Sequence, residues 1–180
     1  MRRRLATTRH EFAQDRSAPR RGATVALLAV LAATFSLAAG SATSTASEAP
    51  SPAHLLNPHS GLCLNVKGGG DSPGTPTEIW ECDNKASQQW VIREDGTVYN
   101  TATAMCLSVE NNSTHEGART EIWKCTGDEA MQWEYREDGT LYNANSSLCL
   151  NTRSHRTTPG TPTEIWHCDK SRSERWVMHH

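Results

Sequence analysis

Short apolar segments separated by turn residues make up the chain beyond residue 53. The first set reads GLCLNV, TEIWEC, QQWVI and VYN, with the turn-rich stretches GGGDSPGTP and EDGT between them. No stretch there repeats apolar positions at helical spacing over 11 residues or more, whereas short runs bounded by Gly, Pro, Asn and Asp are typical of strands. The pattern predicts an all-β domain built from hairpins, one of them turned by Asp95-Gly96.

Alternation along one strand determines which side chains share a face. The tetrapeptide TEIW occurs at residues 77–80, 120–123 and 163–166. Side chains at positions i and i+2 of a strand lie on the same side of the sheet. Ile79 is therefore predicted to point one way, while Glu78 and Trp80 point the other.

The whole pattern recurs without gaps at an interval of 43 residues, and we place the repeats at 55–97, 98–140 and 141–180. Three copies predict a closed threefold object, because an open solenoid usually carries atypical repeats at its ends. Core positions are predicted for the tryptophans that follow the apolar phase of each repeat's last strand, which are Trp90, Trp133 and Trp176. The positions that keep the interval include Trp80, Trp123 and Trp166, then Trp90, Trp133 and Trp176, and also Asn57, Asn100 and Asn143.

Six cysteines in a small exported domain indicate disulfide bonds. Sequence alone allows 15 pairings, and the repeat favours pairing within each unit. Zinc is the alternative, but the chain has no C-x-x-C and no paired H-x-x-x-H, so we expect neither a metal nor a cofactor. Each bridge would close a loop of about 20 residues and contribute roughly 3 kcal/mol. The favoured pairs are Cys63 with Cys82, Cys106 with Cys125, and Cys149 with Cys168.

The first 46 residues differ in composition from the rest. Seven arginines precede the apolar run Gly22–Gly40, and small residues follow it. This order predicts a secretory signal peptide over 1–46, cleaved after Ala42 or Ala46, and hence a secreted protein. A membrane anchor is the alternative, since 19 residues just span a bilayer, and twin-arginine export is an alternative to the general route. Residues 47–53 are predicted to be a linker, and 54–180 a single domain.

Removal of the signal peptide makes the protein acidic. It takes seven basic and two acidic residues from totals of 18 and 20, which leaves 11 basic against 18 acidic residues and a net charge of about −7. Nucleic acid and anionic membrane surfaces are therefore excluded as expected partners. We expect a monomer.

Three segments in fixed order, GLCLNV, TEIWEC and QQW, resemble the ricin B-type β-trefoil lectins, also known as family 13 carbohydrate-binding modules. The resemblance covers Leu55–His180 and recurs in all three repeats. It implies a β-trefoil in which each repeat contributes four strands and one shallow sugar pocket. The implied partners are sugars or a polysaccharide.

The resemblance also implies ligand-binding residues at matching positions. They are Asn65, Glu78, Trp80 and Gln88 in the first repeat, Ser108, Glu121 and Trp123 in the second, and Asn151, Glu164, Trp166 and Glu174 in the third. The family's Asp two residues after the first Cys of each repeat is absent from all three, as is its Asn before the Gln. We hypothesise that the Glu of TEIW replaces the lost acceptor, so that the preferred sugar differs from the galactose common among relatives.

The repeats are not equally intact, and this predicts a ranking of the pockets. The first keeps Gln88, the third has Glu174 there, and the second has Met131, which forms no useful hydrogen bond. We expect the first pocket to be strongest and the second weakest. PGTPTEIW is identical in the first and third repeats, so the loop approaching each of these two pockets is expected to match.

Catalysis is not expected. No G-x-S-x-G occurs, and a glycosidase needs two carboxylates about 5 to 10 Å apart, whereas threefold symmetry separates Glu78, Glu121 and Glu164. The alternative function is a secreted protein-binding or inhibitor trefoil with degenerate sugar sites, whose contacts come from loops such as NNSTHEGAR.

Overall fold

A computed structural model describes residues 50–180 of the chain. The predicted signal peptide lies outside the described residues, as does the start of the predicted linker. Ala53 is already part of the folded domain, because it is buried and exchanges two backbone hydrogen bonds of 2.9 Å with Trp90. No helix in the described part of the chain is long and apolar enough to cross a membrane.

Twelve strands and six three-residue 3-10 helices form residues 50–180, without any α-helix in that range. Four strands fall in each repeat, which confirms the predicted all-β trefoil. The strands are β1 His54–Asn57, β2 Leu62–Val66, β3 Thr75–Trp80, β4 Trp90–Ile92, β5 Val98–Asn100, β6 Met105–Val109, β7 Thr120–Trp123, β8 Trp133–Tyr135, β9 Leu141–Asn143, β10 Leu148–Thr152, β11 Thr161–Trp166 and β12 Val177–His179. The 3-10 helices are Lys67–Gly69, Ala86–Gln88, Glu110–Asn112, Glu129–Met131, Arg153–His155 and Arg172–Glu174.

The third strand of every repeat lies at the centre of the ring. β3 pairs with β11 and with β7, and a bridge between Arg119 and Glu164 joins β7 to β11. Each central strand also pairs with the strand before it in its own repeat, β2, β6 or β10. Hairpins β4–β5 and β8–β9 join neighbouring repeats. The antiparallel pair β12–β1, with His54 opposite His179, closes the ring.

The connection between β4 and β5 follows local sequence. The predicted hairpin at Asp95-Gly96 is confirmed, since β4 and β5 pair across residues 93–97. Asp95 accepts hydrogen bonds from the backbone N–H and hydroxyl of Thr97 at 3.0 and 2.6 Å, and these bonds hold the pKa of Asp95 below its usual value.

Asparagines at one repeat position tie each repeat to its neighbour. Asn57 is fully buried, and its amide donates to the carbonyls of Ser173 and Arg175 in the last repeat. In the same way, the amide of Asn100 donates to carbonyls of the first repeat, and the amide of Asn143 donates to carbonyls of the second. The 43-residue interval at these asparagines thus reflects closure of the ring.

The core is threefold, as the repeat predicts. The three core tryptophans are buried, and each indole N–H donates to the carbonyl of a buried leucine in its own repeat, at 2.9 to 3.0 Å. Burial of Trp90, Trp133 and Trp176 confirms their predicted role. The equivalent buried sets are Leu55, Val98 and Leu141; Leu64, Leu107 and Leu150; and Ile79, Ile122 and Ile165.

The three predicted disulfides are present, each within its own repeat: Cys63–Cys82, Cys106–Cys125 and Cys149–Cys168. No free cysteine remains among the described residues. Each bridge joins the second strand of a repeat to the loop that follows TEIW, and so fixes that loop beside the exposed tryptophan.

A ring of threonine hydroxyls lies where the central strands meet. Thr77, Thr120 and Thr163 are buried, and each hydroxyl oxygen lies 2.7 Å from the other two. Because a hydroxyl both donates and accepts, the three groups satisfy one another without water.

Candidate functional site

One tryptophan in each repeat reaches the surface, at the end of the central strand. Trp80 and Trp123 are 38% and 41% exposed, and Trp166 is half-buried. Ile79 between Glu78 and Trp80 is completely buried. The predicted alternation along TEIW is therefore confirmed.

The first depression lies beside Trp80 and has a volume of about 260 Å³. Asn65 and Glu78 lie opposite each other on β2 and β3, so both side chains face the same floor. Ser87 donates a hydrogen bond to Asn65 at 2.9 Å, and Asn65 donates one to Glu78 Oε1 at 3.3 Å. Its lining residues are Asn65, Gly68, Gly69, Glu78, Trp80, Asp83, Lys85 and Ser87.

Burial raises the pKa of Glu78 above its ordinary value, while Asn65 and the charge of Lys67 act in the opposite sense. Only 5% of Glu78 is exposed. The hydrogen bond engages Oε1, so Glu78 Oε2 remains an acceptor on the floor next to the indole.

The second depression lies beside Trp123, has a volume of about 420 Å³ and is more acidic. Ser108 lies opposite Glu121 but is too short to reach it, and donates a long bond of 3.5 Å to the Val109 carbonyl instead. Burial raises the pKa of Glu121, and the neighbouring Glu110 raises it further. The lining residues are Ser108, Val109, Glu110, Asn111, Asn112, Glu121, Trp123, Asp128 and Met131.

The third repeat uses its polar groups on one another. His155 Nδ1 lies 2.6 Å from Ser173 Oγ, which also contacts Ser171 Oγ at 2.9 Å. Glu164 accepts a bond from the Ser154 N–H at 3.3 Å and pairs with Arg153 at 3.7 Å. The third repeat therefore lacks the chain of hydrogen bonds that links Ser87, Asn65 and Glu78 in the first repeat.

Asn151 differs from Asn65 in its hydrogen bonds. It lies opposite Glu164, as Asn65 lies opposite Glu78. Its Oδ1 is buried and has no hydrogen-bond partner among the described residues, because Ser173 bonds His155 instead.

The wall opposite each tryptophan requires left-handed backbone. Gly68 and Gly69 have φ of 62° and 65°, and the equivalent positions in the third repeat are Ser154 and His155, both at 55°. Glycine adopts this region without steric cost, whereas other residues are strained there. The third repeat therefore places a His side chain where the first has none.

Gln88 and Glu174 occupy one repeat position and are both completely buried. Gln88 accepts a hydrogen bond from the Asp83 N–H at 3.1 Å and donates one to the Glu81 carbonyl at 2.7 Å. Its amide thus holds the loop after Trp80 from below and lies outside the residues lining the first depression. Both carboxylate oxygens of Glu174 are buried without a hydrogen-bond partner in the described structure.

Each exposed tryptophan is backed by a loop from another repeat. A Cβ on Gly160 would lie 3.5 Å from Trp80 Cζ3, and one on Gly74 would lie 3.5 Å from Trp123 Cζ3. The Gly74 N–H donates to the Ile122 carbonyl at 2.9 Å, which anchors this contact. The PGTP loops of the first and third repeats therefore approach the second and first pockets, whereas we expected matching loops at the first and third.

The glycines behind the tryptophans were not among the predicted site residues. The signal in the sequence was their place in the 43-residue interval, since Gly74, Gly117 and Gly160 are equivalent. Interval alone says nothing about which tryptophan a loop meets. Among residues 50–180, no group of three His, Cys, Asp or Glu side chains is arranged to hold a metal ion.

A family model described as the ricin-type beta-trefoil lectin domain matches residues 51–179. Nigrin b from Sambucus nigra is 40% identical over 38 residues, which cover 21% of this chain and 7% of nigrin b. The chain spans less than a tenth of the length of the curated relatives it matches.

Solved structures share the fold. ThreeFoil, a designed threefold-symmetric protein, aligns with a TM-score of 0.67 and 24% identity over 72% of this chain and 98% of that protein. A non-toxic homologue of type II RIPs from Momordica charantia, solved in complex with α-methyl-D-galactoside, aligns with a TM-score of 0.62 and 20% identity over 73% of this chain and 49% of that one. At these identities the similarity shows the β-trefoil fold.

Proposed function

This chain belongs to the family of ricin-type beta-trefoil lectin domains, and from this membership we propose that it is a secreted carbohydrate-binding protein. A lectin domain holds a sugar without changing it, so no catalytic role is assigned. The observation that carries the proposal is the first depression, where an exposed tryptophan stands beside a braced carboxylate.

Sugar recognition needs a flat aromatic face and polar groups at its edge. The indole of Trp80 covers the apolar C–H side of a pyranose, and Glu78 and Asn65 contact its hydroxyls. The bonds from Ser87 to Asn65 and from Asn65 to Glu78 fix both side chains before a ligand arrives. Less conformational entropy is then lost on binding.

We rank the first depression strongest and the third weakest. The second is open but lacks the bracing serine and asparagine, since Ala130 and Ser108 take their places. In the third, His155 bonds Ser173, and Arg153 pairs with Glu164. This order differs from the sequence-based ranking, because the side chains that close the third pocket come from a left-handed turn.

In the first two pockets, the first residue of the 3-10 helix opposite the tryptophan affects the ionisation of the pocket glutamate. Lys67 favours the ionised form of Glu78, whereas Glu110 opposes ionisation of Glu121. Asp128 adds another carboxylate to the second depression. We therefore assign a neutral sugar to the first pocket, and expect the second to reject acidic sugars.

Affinity for a polymer would exceed affinity for a monosaccharide. A shallow single site binds at about millimolar, roughly 4 kcal/mol. Two sites that engage one polysaccharide gain about 10²-fold when its spacing fits. Threefold symmetry places the exposed tryptophans on different lobes, which suits a branched or extended polymer.

Secretion is part of the proposal. Its support is the signal-like composition of residues 1–46 together with three disulfides in the described domain, since disulfides persist in oxidising compartments.

A glycan and polysaccharide panel, followed by titration, tests the function. Trp80→Ala is expected to lower polysaccharide retention most, Trp123→Ala next and Trp166→Ala least. Tyr135→Ala is the matched control, because Tyr135 is also 38% exposed but lies outside the first two depressions. Retention that is equal in Trp80→Ala and Tyr135→Ala would contradict the assignment.

A protein-binding trefoil is the second candidate, favoured by the closure of the third pocket by its own side chains. Its distinguishing result is an absence of sugar binding on the panel together with saturable capture of a purified secreted protein, insensitive to the three tryptophan variants.

A further inference from the structure

Glu174 is a buried carboxyl group that the proposed sugar contacts do not use. It is 0% exposed, and neither oxygen has a hydrogen-bond partner among the described residues. A charged carboxylate without partners is costly in such a place. The burial therefore favours a neutral group.

The first repeat shows what this position does. Gln88 bridges the Asp83 N–H and the Glu81 carbonyl, and so uses one acceptor and one donor. The equivalent groups in the third repeat are the N–H of Asp169 and the carbonyl of His167. A protonated carboxyl offers the same donor and acceptor as the amide, whereas an ionised carboxylate only accepts.

We propose that Glu174 is a positioning residue for the third pocket, which holds the loop 167–171 when protonated and releases it when ionised. The part that concerns sugar rests on the proposed function, and the part that concerns the loop does not. The loop matters to the pocket because it begins directly after Trp166, the exposed aromatic side chain of that pocket, and because Ser171 on the loop contacts Ser173.

The surrounding charges agree with this role. Asp169 is the nearby carboxylate on the loop, which also carries His167 and Lys170. Burial first and the charge of Asp169 second raise the pKa of Glu174 from 4.5 to about 7, while the nearby backbone N–H groups of Asp169 and Lys170 lower it without reaching hydrogen-bond geometry. β10, which packs on this 3-10 helix, brings no titratable side chain. The other charged groups on adjoining turns are Arg153, His155, Arg172 and Arg175.

The sign of the pH effect follows from the direction of the shift. A carboxyl whose pKa is raised on folding stabilises the fold fully below its unfolded value and loses that contribution as pH rises through its folded value. For Glu174 the loss falls between pH 4.5 and about 7. The loop is then held in mildly acidic solution and released above neutrality.

Thermal unfolding between pH 4.5 and 8.5 tests the loop. Relative to wild type, Glu174→Gln is expected to gain little at pH 5 and on the order of 100-fold in the folding equilibrium above pH 7. Gln88→Glu is the matched reciprocal variant and should lose stability over the same window. Parallel curves for wild type and Glu174→Gln overturn the proposal.

Hydrogen exchange and NMR locate the effect. The backbone N–H of residue 174, which donates to the Ser171 carbonyl of the loop at 3.2 Å, should be protected at pH 6 and lose protection at pH 8, after correction for the intrinsic rate, and should stay protected in Glu174→Gln. The carboxyl carbon of Glu174 should titrate near pH 7. Titration of the Glu174 carboxyl near pH 4.5, or protection that is independent of pH, would reject the proposal that protonated Glu174 holds the loop.

A sugar titration separates this proposal from the function. In a Trp80→Ala, Trp123→Ala background, residual binding of the best panel polysaccharide should fall from pH 6 to pH 8, and Glu174→Gln should keep it constant. If the loop responds to pH but the wild-type protein binds no sugar, the proposed function is rejected, while the proposal that protonated Glu174 holds the loop is retained. Residual binding that falls equally in Glu174→Gln rejects the positioning role.

Discussion

Lys67, Glu110 and Arg153 occupy the same position of the three repeats, yet each does something different to the glutamate of TEIW. Lys67 favours ionisation of Glu78, Glu110 opposes ionisation of Glu121, and Arg153 pairs with Glu164. The backbone is the same in each case. At the residue scale, single side chains on the wall therefore decide whether a shared acceptor is available to a ligand.

His155 provides a test at this scale. His155→Gly removes the bond to Ser173 and the strain of a left-handed His, so binding at Trp166 should rise several-fold while stability changes by only about 1 kcal/mol. The measurement is a sugar titration in the Trp80→Ala, Trp123→Ala background. Gly69→His is the reciprocal variant and should weaken the first pocket. Unchanged binding in both variants would show that His155 does not close the site.

At the scale of elements, the second strands β2, β6 and β10 are equivalent in register but not in composition. Val66 and Val109 are buried opposite threonines of the central strands, and Thr152 takes their place on β10. The Thr152 hydroxyl is buried and has no hydrogen-bond partner among the described residues. β10 thus carries a buried hydroxyl for which the described residues provide no hydrogen-bond partner.

Thr152→Val is expected to stabilise the protein by about 1 kcal/mol, since it removes an unpaired buried hydroxyl and restores the side chain of the other two repeats. Val109→Thr, the opposite change in the second repeat, should cost about 1 to 3 kcal/mol. Urea unfolding with intact disulfides measures both free energies. A destabilised Thr152→Val would indicate an unseen partner for the hydroxyl.

Sequence predicted the elements well and the pockets less well, for reasons visible in particular residues. The 43-residue interval of the cysteines and core tryptophans determined the repeats and the disulfides, and strand alternation determined the buried face. Gln88 lies below the loop because a 3-10 turn directs it inward, and His155 reaches Ser173 because two residues adopt left-handed backbone. Neither turn has a periodic signature. The contact between Gly74 and Trp123 depends on ring closure, which local pattern does not contain.

At the scale of the whole molecule, the threonine ring ties the three repeats at one point. Thr77→Val removes two of three mutual hydrogen bonds and leaves one between Thr120 and Thr163. We expect a cost of about 1 to 3 kcal/mol for this change. The second substitution removes the last bond and leaves a lone buried hydroxyl, and the third removes that hydroxyl.

The triple valine variant should therefore lose less than three times the single cost, because the third step is neutral or favourable. Urea unfolding of the single, double and triple variants measures the series. Costs that add in equal steps would show that the three hydroxyls act independently.

Ring closure at β1 and β12 has a consequence for biosynthesis. His54 pairs with His179, and the amide of Asn57 donates to carbonyls of Ser173 and Arg175. During translation β1 leaves the ribosome before β12 has been synthesised, and the nascent chain carries an open strand edge until β12 emerges. Of the strands in residues 50–180, β1 is synthesised first, yet one of its two edges is paired last.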